Sequence, residues 1–283
     1  MFRSSYDGDN TVFSPHGRLH QVEYALEAVK QGSAVVGLRS NTHAVLVALK
    51  RAPSELASYQ KKMLRIDNHI GMAISGLTSD ARVLSNFMRQ LALSSRLVYS
   101  RPLPVSRLMA SLSDRAQYNT MQYSKRPYGV GFLVIGVDSQ GPHLYEFSPT
   151  GNCFEYYAMA LGARSQSAKT YLELKYDNFK EMNLDELIVE GLRALRESLQ
   201  QGRELELDAV SVSFVGPHAD ASADSPESRT AEKLTIIDGE PLKKWLDQLE
   251  KRKGNQSTGD GNTEAAGGGG TIGPASDDVT MAS

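Results

Sequence analysis

One cysteine, one tryptophan and six histidines in 283 residues leave little material for several kinds of chemistry. With Cys153 alone, no intrachain disulfide can form, and a reducing cytoplasmic or nuclear location is the simplest expectation. No stretch approaches the roughly 20 apolar residues of a membrane span. The opening MFRSSYDGDN has no apolar run behind its one Arg, so neither a membrane association nor secretion is expected. Charge of one sign is also lacking. The net charge is −2; Asp260, Glu264, Asp277 and Asp278 are unopposed by any Lys or Arg within 254–283 and leave the remainder near +2, so no nucleic-acid partner is expected. His16 and His20 have the spacing of a helical metal pair, but Gly17 lies between them in a turn signal and no third ligand is near. Capping or solvated histidines are expected there, and no metal. YGVGFLVIG and GGGG lack dinucleotide or phosphate-loop spacing, no cofactor is expected, and no Ser, His and Asp set declares itself.

What is present is an alternation of strand-like and helix-like segments. FSPHGRLHQVEYALEAVKQG, residues 13–32, opens it. Ser14 can cap a helix with Pro15 in its first turn, or 14–17 can form a turn with the helix starting at Arg18; Gly17 favours the second. Leu19, Val22, Leu26 and Val29 then recur at helical spacing, and Gly32 is expected to end the helix in a left-handed conformation. Two β-branched runs follow, SAVVGLR (33–39) and HAVLVALK (43–50), split by a Ser-Asn-Thr hairpin signal, and then KMLRI (62–66) and HIGMAIS (69–75). Helical stripes take over at Val83, Leu84, Phe87, Met88, Leu91 and Val98, and from Pro104 at Leu108, Met109, Leu112 and Ala116. The order repeats with strands at 128–137, 143–148, 153–158 and 159–162, helices over 166–179 and 184–199, strands at 209–215 and 234–238, and a last helix over 241–253. This predicts an α+β fold, a four-layer αββα sandwich of two antiparallel sheets with helices on each outer face and an extra N-terminal helix over 18–31. One sandwich domain is expected over 18–253, preceded by a tail and turn over 1–17. Polar 217–233 reads as a mobile loop, and Gly-rich, acidic 254–283 as a disordered tail that cannot offset its ordering entropy.

Two segments invite a functional reading on residues alone. KKWLDQLEKRK, residues 243–253, reads as a solvated helix face more readily than as a nuclear targeting signal, since late cations favour the negative end of a helix. Gly32-Ser33, ahead of the first strand of a double-sheet sandwich, is where an N-terminal nucleophile hydrolase would cut itself to free an amine beside its own hydroxyl. That alternative makes Ser33 a nucleophile and discards residues 1–32, the best-specified helix of the chain.

FSPHGRLHQVEYA, residues 13–25, resembles the signature of α-type subunits of the 20S proteasome. GSAVVGL (32–38), HAVLVALKR (43–51), SGLTSDARVL (75–84), RPYGVG (126–131) and LGARSQSAKTYLE (161–173) extend the likeness over 1–252. The resemblance implies an N-terminal nucleophile hydrolase-like sandwich in a non-catalytic subunit, not itself an enzyme. Its implied work is ring assembly, substrate-entry gating and activator docking in ATP- and ubiquitin-dependent protein degradation. Implied partners are other α subunits in a seven-membered ring, a β ring beneath, and the regulatory particle or other activators through their C-terminal tails, in cytoplasm and nucleus. The family's catalytic β subunits use an N-terminal threonine with an Asp and a Lys nearby. Strand alignment places Ser33 near that nucleophile, Lys50 where the Asp belongs and Lys62 at the lysine, so a cation replaces the carboxylate.

By the same resemblance the leading helix is a plug across the sandwich edge, with Arg18, Gln21 and Glu23 facing ring neighbours and the apolar stripe covering the sandwich. The family's gate cluster matches Tyr6, Asp7, Pro15 and Tyr24, while Gly8 stands where an Arg is frequent. Lys62 matches the lysine that receives an activator's terminal carboxylate, with Gly76 and Leu77 as pocket wall. Read without the resemblance, Lys61 and Lys62 are two exposed lysines guarding a strand edge. The 217–233 loop is longer than the turn usual in the family.

Overall fold

Alternation along strands that are apolar on both faces sets the architecture. The computed structural model describes residues 7–52, 54–200, 205–217 and 233–256, with side chains as far as 249. β1 (Val35–Arg39) and β2 (Ala44–Leu49) pair antiparallel with Val36 opposite Val47. Val35, Leu46 and Ala48 face inward to the second sheet, while Val36, Leu38, Val45 and Val47 face outward to helices. β1 and β2 are extended by β8 (Ala158–Leu161), β9 (Val210–Val215) and β10 (Thr235–Asp238) into a five-stranded sheet of order β10-β9-β2-β1-β8. The other five-stranded sheet has order β3-β4-β5-β6-β7, from β3 (Met63–Asp67), β4 (Ile70–Gly76), β5 (Val130–Asp138), β6 (Gly141–Phe147) and β7 (Cys153–Glu155).

The apolar residues fall into three layers. Between the sheets lie Leu46, Ala73, Leu133, Ile135 and Leu144. Outside the second sheet, α2 (Thr78–Tyr99) and α3 (Val105–Met121) bury Leu84, Met88, Leu108 and Leu112 against Met72, Ile74 and a stacked Phe132–Phe147 pair, ring centroids 4.3 Å apart. Outside the first sheet, α4 (Ser165–Leu174), α5 (Leu184–Glu197) and α6 (Lys243–Gln256) pack Leu172, Leu192, Leu195 and Trp245 on Val36, Val47 and Val212. Two antiparallel sheets face to face with a helical layer on each side make the expected αββα sandwich, with α1 (His20–Gln31) as the additional N-terminal helix.

Several details differ from the sequence reading, each for a physical reason. α1 begins at His20, two residues after Arg18, because Gly17 takes φ 73° and the 14–17 turn closes on itself. Gly32 is not left-handed. Its φ of −62° and ψ of 157° are extended, and its lack of a side chain serves a close approach to β4. The expected 166–179 helix ends at Leu174 and continues as a 3-10 turn over Tyr176–Glu181. The segments read as strands at 153–158 and 159–162 become β7 and β8, which run almost end to end yet belong to different sheets. In α6, Trp245 and Leu249 are buried while Lys243 and Lys244 are exposed, the geometry of a solvated helix face. Of the 217–233 loop, 218–232 lie outside the described residues, as do 257–283 of the expected tail.

Candidate functional site

The site grows from the turn that launches α1. Ser14 is buried, its hydroxyl accepts the Arg18 N–H at 3.1 Å, and its carbonyl accepts the Gly17 N–H at 2.8 Å. This folds the tail back beside the helix it precedes. Tyr24 Oη donates to Asp7 Oδ1 at 3.0 Å, and the Gln21 side-chain amide donates to the Asp7 carbonyl. That hydrogen bond to Asp7 raises the Tyr24 phenol above its usual range. Arg18 pairs with Glu23 through two contacts, Nε to Oε1 at 2.7 Å and Nη2 to Oε2 at 2.5 Å, on the exposed side of the helix. Of the residues expected at a gate, Asp7 and Tyr24 are thus joined directly, Pro15 sits in the exposed turn, and Tyr6 lies outside the described residues.

α1 rests where β4 ends and β5 begins, and the seat is made by leaving side chains out. A Cβ on Gly131 would stand 2.9 Å from Val29 Cγ1, and one on Gly129 would stand 2.7 Å from Leu77 and 3.8 Å from Ala28 Cβ. A Cβ on Gly32 would run into Ser75 Oγ and the Gly76 backbone. Ser75 Oγ donates to the Val29 carbonyl at 2.9 Å, fixing the end of the helix to β4. Because the approach is so close, small residues lie deepest: Ala25 and Val29 are buried, whereas Leu19, Val22 and Leu26 are only half-buried. The expected Leu19–Val22–Leu26–Val29 stripe is therefore only partly the contact face. Its rim stays open in this chain.

The floor of the seat is held by a buried carboxylate. Asp80, in the first turn of α2, accepts both Arg126 guanidinium nitrogens, Nη1 at 2.6 Å and Nη2 at 2.8 Å, and the Gly129 N–H at 2.9 Å. The Arg126 hydrogen bonds chiefly, aided by Gly129, hold its carboxyl below the usual carboxylate range against the effect of burial. RPYGVG is thus the strand entry that carries α1, a role its residue types alone did not reveal.

Behind α1 the structure brings Ser33 and Lys62 together. Both are buried, and Lys62 Nζ donates to the Ser33 carbonyl at 3.0 Å and to the Ser33 hydroxyl. Burial, with the Arg51 charge added, pushes the Lys62 ammonium down to about 7. The reading of Lys61 and Lys62 as two exposed edge lysines is corrected for Lys62, whose head group turns inward; Lys61 is exposed. Lys50 points elsewhere: its Nζ pairs with Asp238 Oδ1 at 3.0 Å. Gly76 takes φ 111° beside Gly32, and Leu77, 46% exposed, covers Gly129 while its N–H bonds the Gly129 carbonyl at 2.9 Å. An open cleft of about 850 Å³ beside Ala34, Lys50, Arg51, Tyr59 and Arg164 is lined by neither Ser33 nor Lys62. His16 is exposed in the turn, and His20 Nδ1 stands 3.9 Å from both Asp7 and Glu23.

Comparison with known proteins gives concordant matches. A family model described as "Proteasome subunit" matches residues 29–215, and a second, for the N-terminal signature of A-type proteasome subunits, matches residues 6–28. The chain is 56% identical over 249 residues to the "Probable proteasome subunit alpha type-6" of Schizosaccharomyces pombe, covering 88% of this chain and 87% of that one. It is 53% identical over 248 residues to the "Proteasome subunit alpha type-6" of Saccharomyces cerevisiae, covering 87% of this chain and all of that one. To the "Proteasome subunit alpha type-1" of Dictyostelium discoideum it is 51% identical over 217 residues, 76% of this chain and 88% of the other.

Proposed function

The chain belongs to the α-type subunits of the proteasome, and we propose that within the particle it acts as a non-catalytic ring member that shapes the entrance and receives activators. The observation that carries this reading is the seating of α1 on Gly129 and Gly131. The helix occupies the end of the sandwich, and its last turn leads through Gly32 to Ser33. While residues 1–32 stay attached, Ser33 has no free amine to act as base, and Lys50, the residue aligned by sequence with the catalytic carboxylate, is a cation turned to Asp238 instead. In this reading the Arg18–Glu23 surface and the open rim at Leu19, Val22 and Leu26 meet ring neighbours, in a ring of seven above a β ring. The Asp7–Tyr24 bond directs the tail toward the entrance, and Lys62 with Gly76 and Leu77 forms one wall of an activator pocket. Protein degradation driven by ATP and ubiquitin, in cytoplasm and nucleus, is the process this would serve.

One observation favours a second reading. The Ser33 hydroxyl touches a lysine whose ammonium is lowered toward neutrality, the pairing a self-processing hydrolase would need. Native mass spectrometry of the tagged chain from its own cells, with subunit ejection, separates the two. Retention of residues 1–32 inside a twenty-eight-subunit particle supports the ring role. A chain beginning at Ser33 overturns it in favour of the hydrolase.

A further inference from the structure

Asn10 is an oddity in the tail: a short polar side chain only 4% exposed, between the exposed Gly8 and the exposed Thr11 and Val12. Burying a side-chain amide is unfavourable unless it is bonded. Its Nδ2 donates to the backbone carbonyl of Asn119 at 2.7 Å. That carbonyl lies in the last turn of α3, where the helix has run out of N–H donors: Gln122 N–H closes on Tyr118 O, and the chain then leaves the helix. Asn10 therefore caps α3 from outside, across more than a hundred residues of sequence.

The same helix end continues toward the seat of α1. Asn119 Nδ2 donates to the Arg126 carbonyl at 3.3 Å, Arg126 is clamped on Asp80, and Asp80 holds the Gly129 N–H. Asp7, three residues before Asn10, is held by Gln21 and Tyr24 of α1. Between the two held residues, Gly8 offers no side chain and a Cβ there would meet nothing within 4 Å, while Asp9 closes a local turn on Thr11 N–H at 2.9 Å. The described part of the tail is thus held at two points, Asp7 on α1 and Asn10 on α3.

We infer that Asn10 is a second anchor of the N-terminal tail, a positioning residue that sets how the tail is presented at the entrance by tying it to the end of α3. The functional half of this inference rests on the gating reading above; the anchor itself is a property of this chain. A single hydrogen bond of this kind commands roughly a two- to tenfold change in a local opening equilibrium.

The test uses the full chain with Asn10→Asp, which keeps the size and loses the donor, and Asn10→Ala. Hydrogen exchange of residues 8–12 is read on the purified chain, and basal and activator-saturated peptide hydrolysis on particles that contain it. The expected result is exchange about two- to tenfold faster in both variants, raised basal hydrolysis, and saturated hydrolysis equal to wild type. A merely structural loss would lower both rates. Wild-type exchange in both variants overturns the anchor. Faster exchange with unchanged basal hydrolysis, or variants excluded from particles that accept the wild type, overturns the positioning role. If the wild-type chain itself enters no ring particle, the gating reading fails, and the exchange data alone decide the anchor.

Discussion

Lys62 is the residue whose charge sits least comfortably. Its ammonium is held near 7 by burial and by Arg51, whereas a lysine in the unfolded chain titrates at about 10.4. Folding therefore releases a proton between those values. Below pH 7 both states carry it and the burial penalty is fully present; as pH rises from 7 toward 10 the penalty is relieved, and stability climbs by up to about 1.4 kcal/mol per pH unit. Urea midpoints at pH 7 and 9.5 should show this slope in the wild type and a flatter one in Lys62→Met. Equal slopes would mean that Lys62 is not the group responsible. Asp80 has the opposite sign. Arg126 and Gly129 keep its carboxyl below the ordinary range, so its contribution is present above the unfolded value and is lost as pH falls through the folded one. Asp80→Asn should remove about 1–3 kcal/mol at neutral pH, read as a drop in urea midpoint, because Arg126 and the Gly129 N–H lose a charged acceptor.

At the scale of elements, the leading helix depends on a floor without side chains. Gly131→Val should force α1 off β5, costing about 1–3 kcal/mol, with limited proteolysis cutting between α1 and β1. Gly8→Ala, where nothing lies within 4 Å, should leave that region intact and serves as the control. The sandwich itself was largely legible in the sequence, since alternating Val, Leu and Ala along β1 and β2 and the stripe at Leu84, Met88, Leu108 and Leu112 carry their own periods. What could not be read is set by distant partners. Nothing local says that β7 and β8 part to different sheets, because that depends on β6 and β1 already being in place. Gly32 looked like a helix terminator because a glycine after a helical stripe commonly is one; its neighbour at Ser75 is invisible from the sequence. Asp7 and Tyr24 were found through the motif, whereas the Asp80–Arg126 clamp and Asn10 lie in no pattern that spacing reveals.

For the molecule as a whole, the open rim of α1 and the inward-turned Lys62 make separate demands on an assembled particle. Lys62→Ala should weaken activator-stimulated peptide turnover without blocking assembly; unchanged stimulation in an assay limited to that pocket would count against a carboxylate-receiving role. Deleting residues 1–10 removes both Asp7 and Asn10 and should raise basal peptide entry. No change there would make this tail a passive member of the entrance. The glycine seat has a further consequence, in time. α1 leaves the ribosome before every strand of the sandwich, and Gly131, which receives it, is made about a hundred residues later. At ~5–20 residues per second this is a wait of roughly 5–20 s. Until β4 emerges the nascent helix has no surface of its own chain to lie on, and until Gly131 follows its seat is incomplete. A helix synthesised so far ahead of its seat has to wait for it, and during that interval its apolar face is available to any chaperone that finds it.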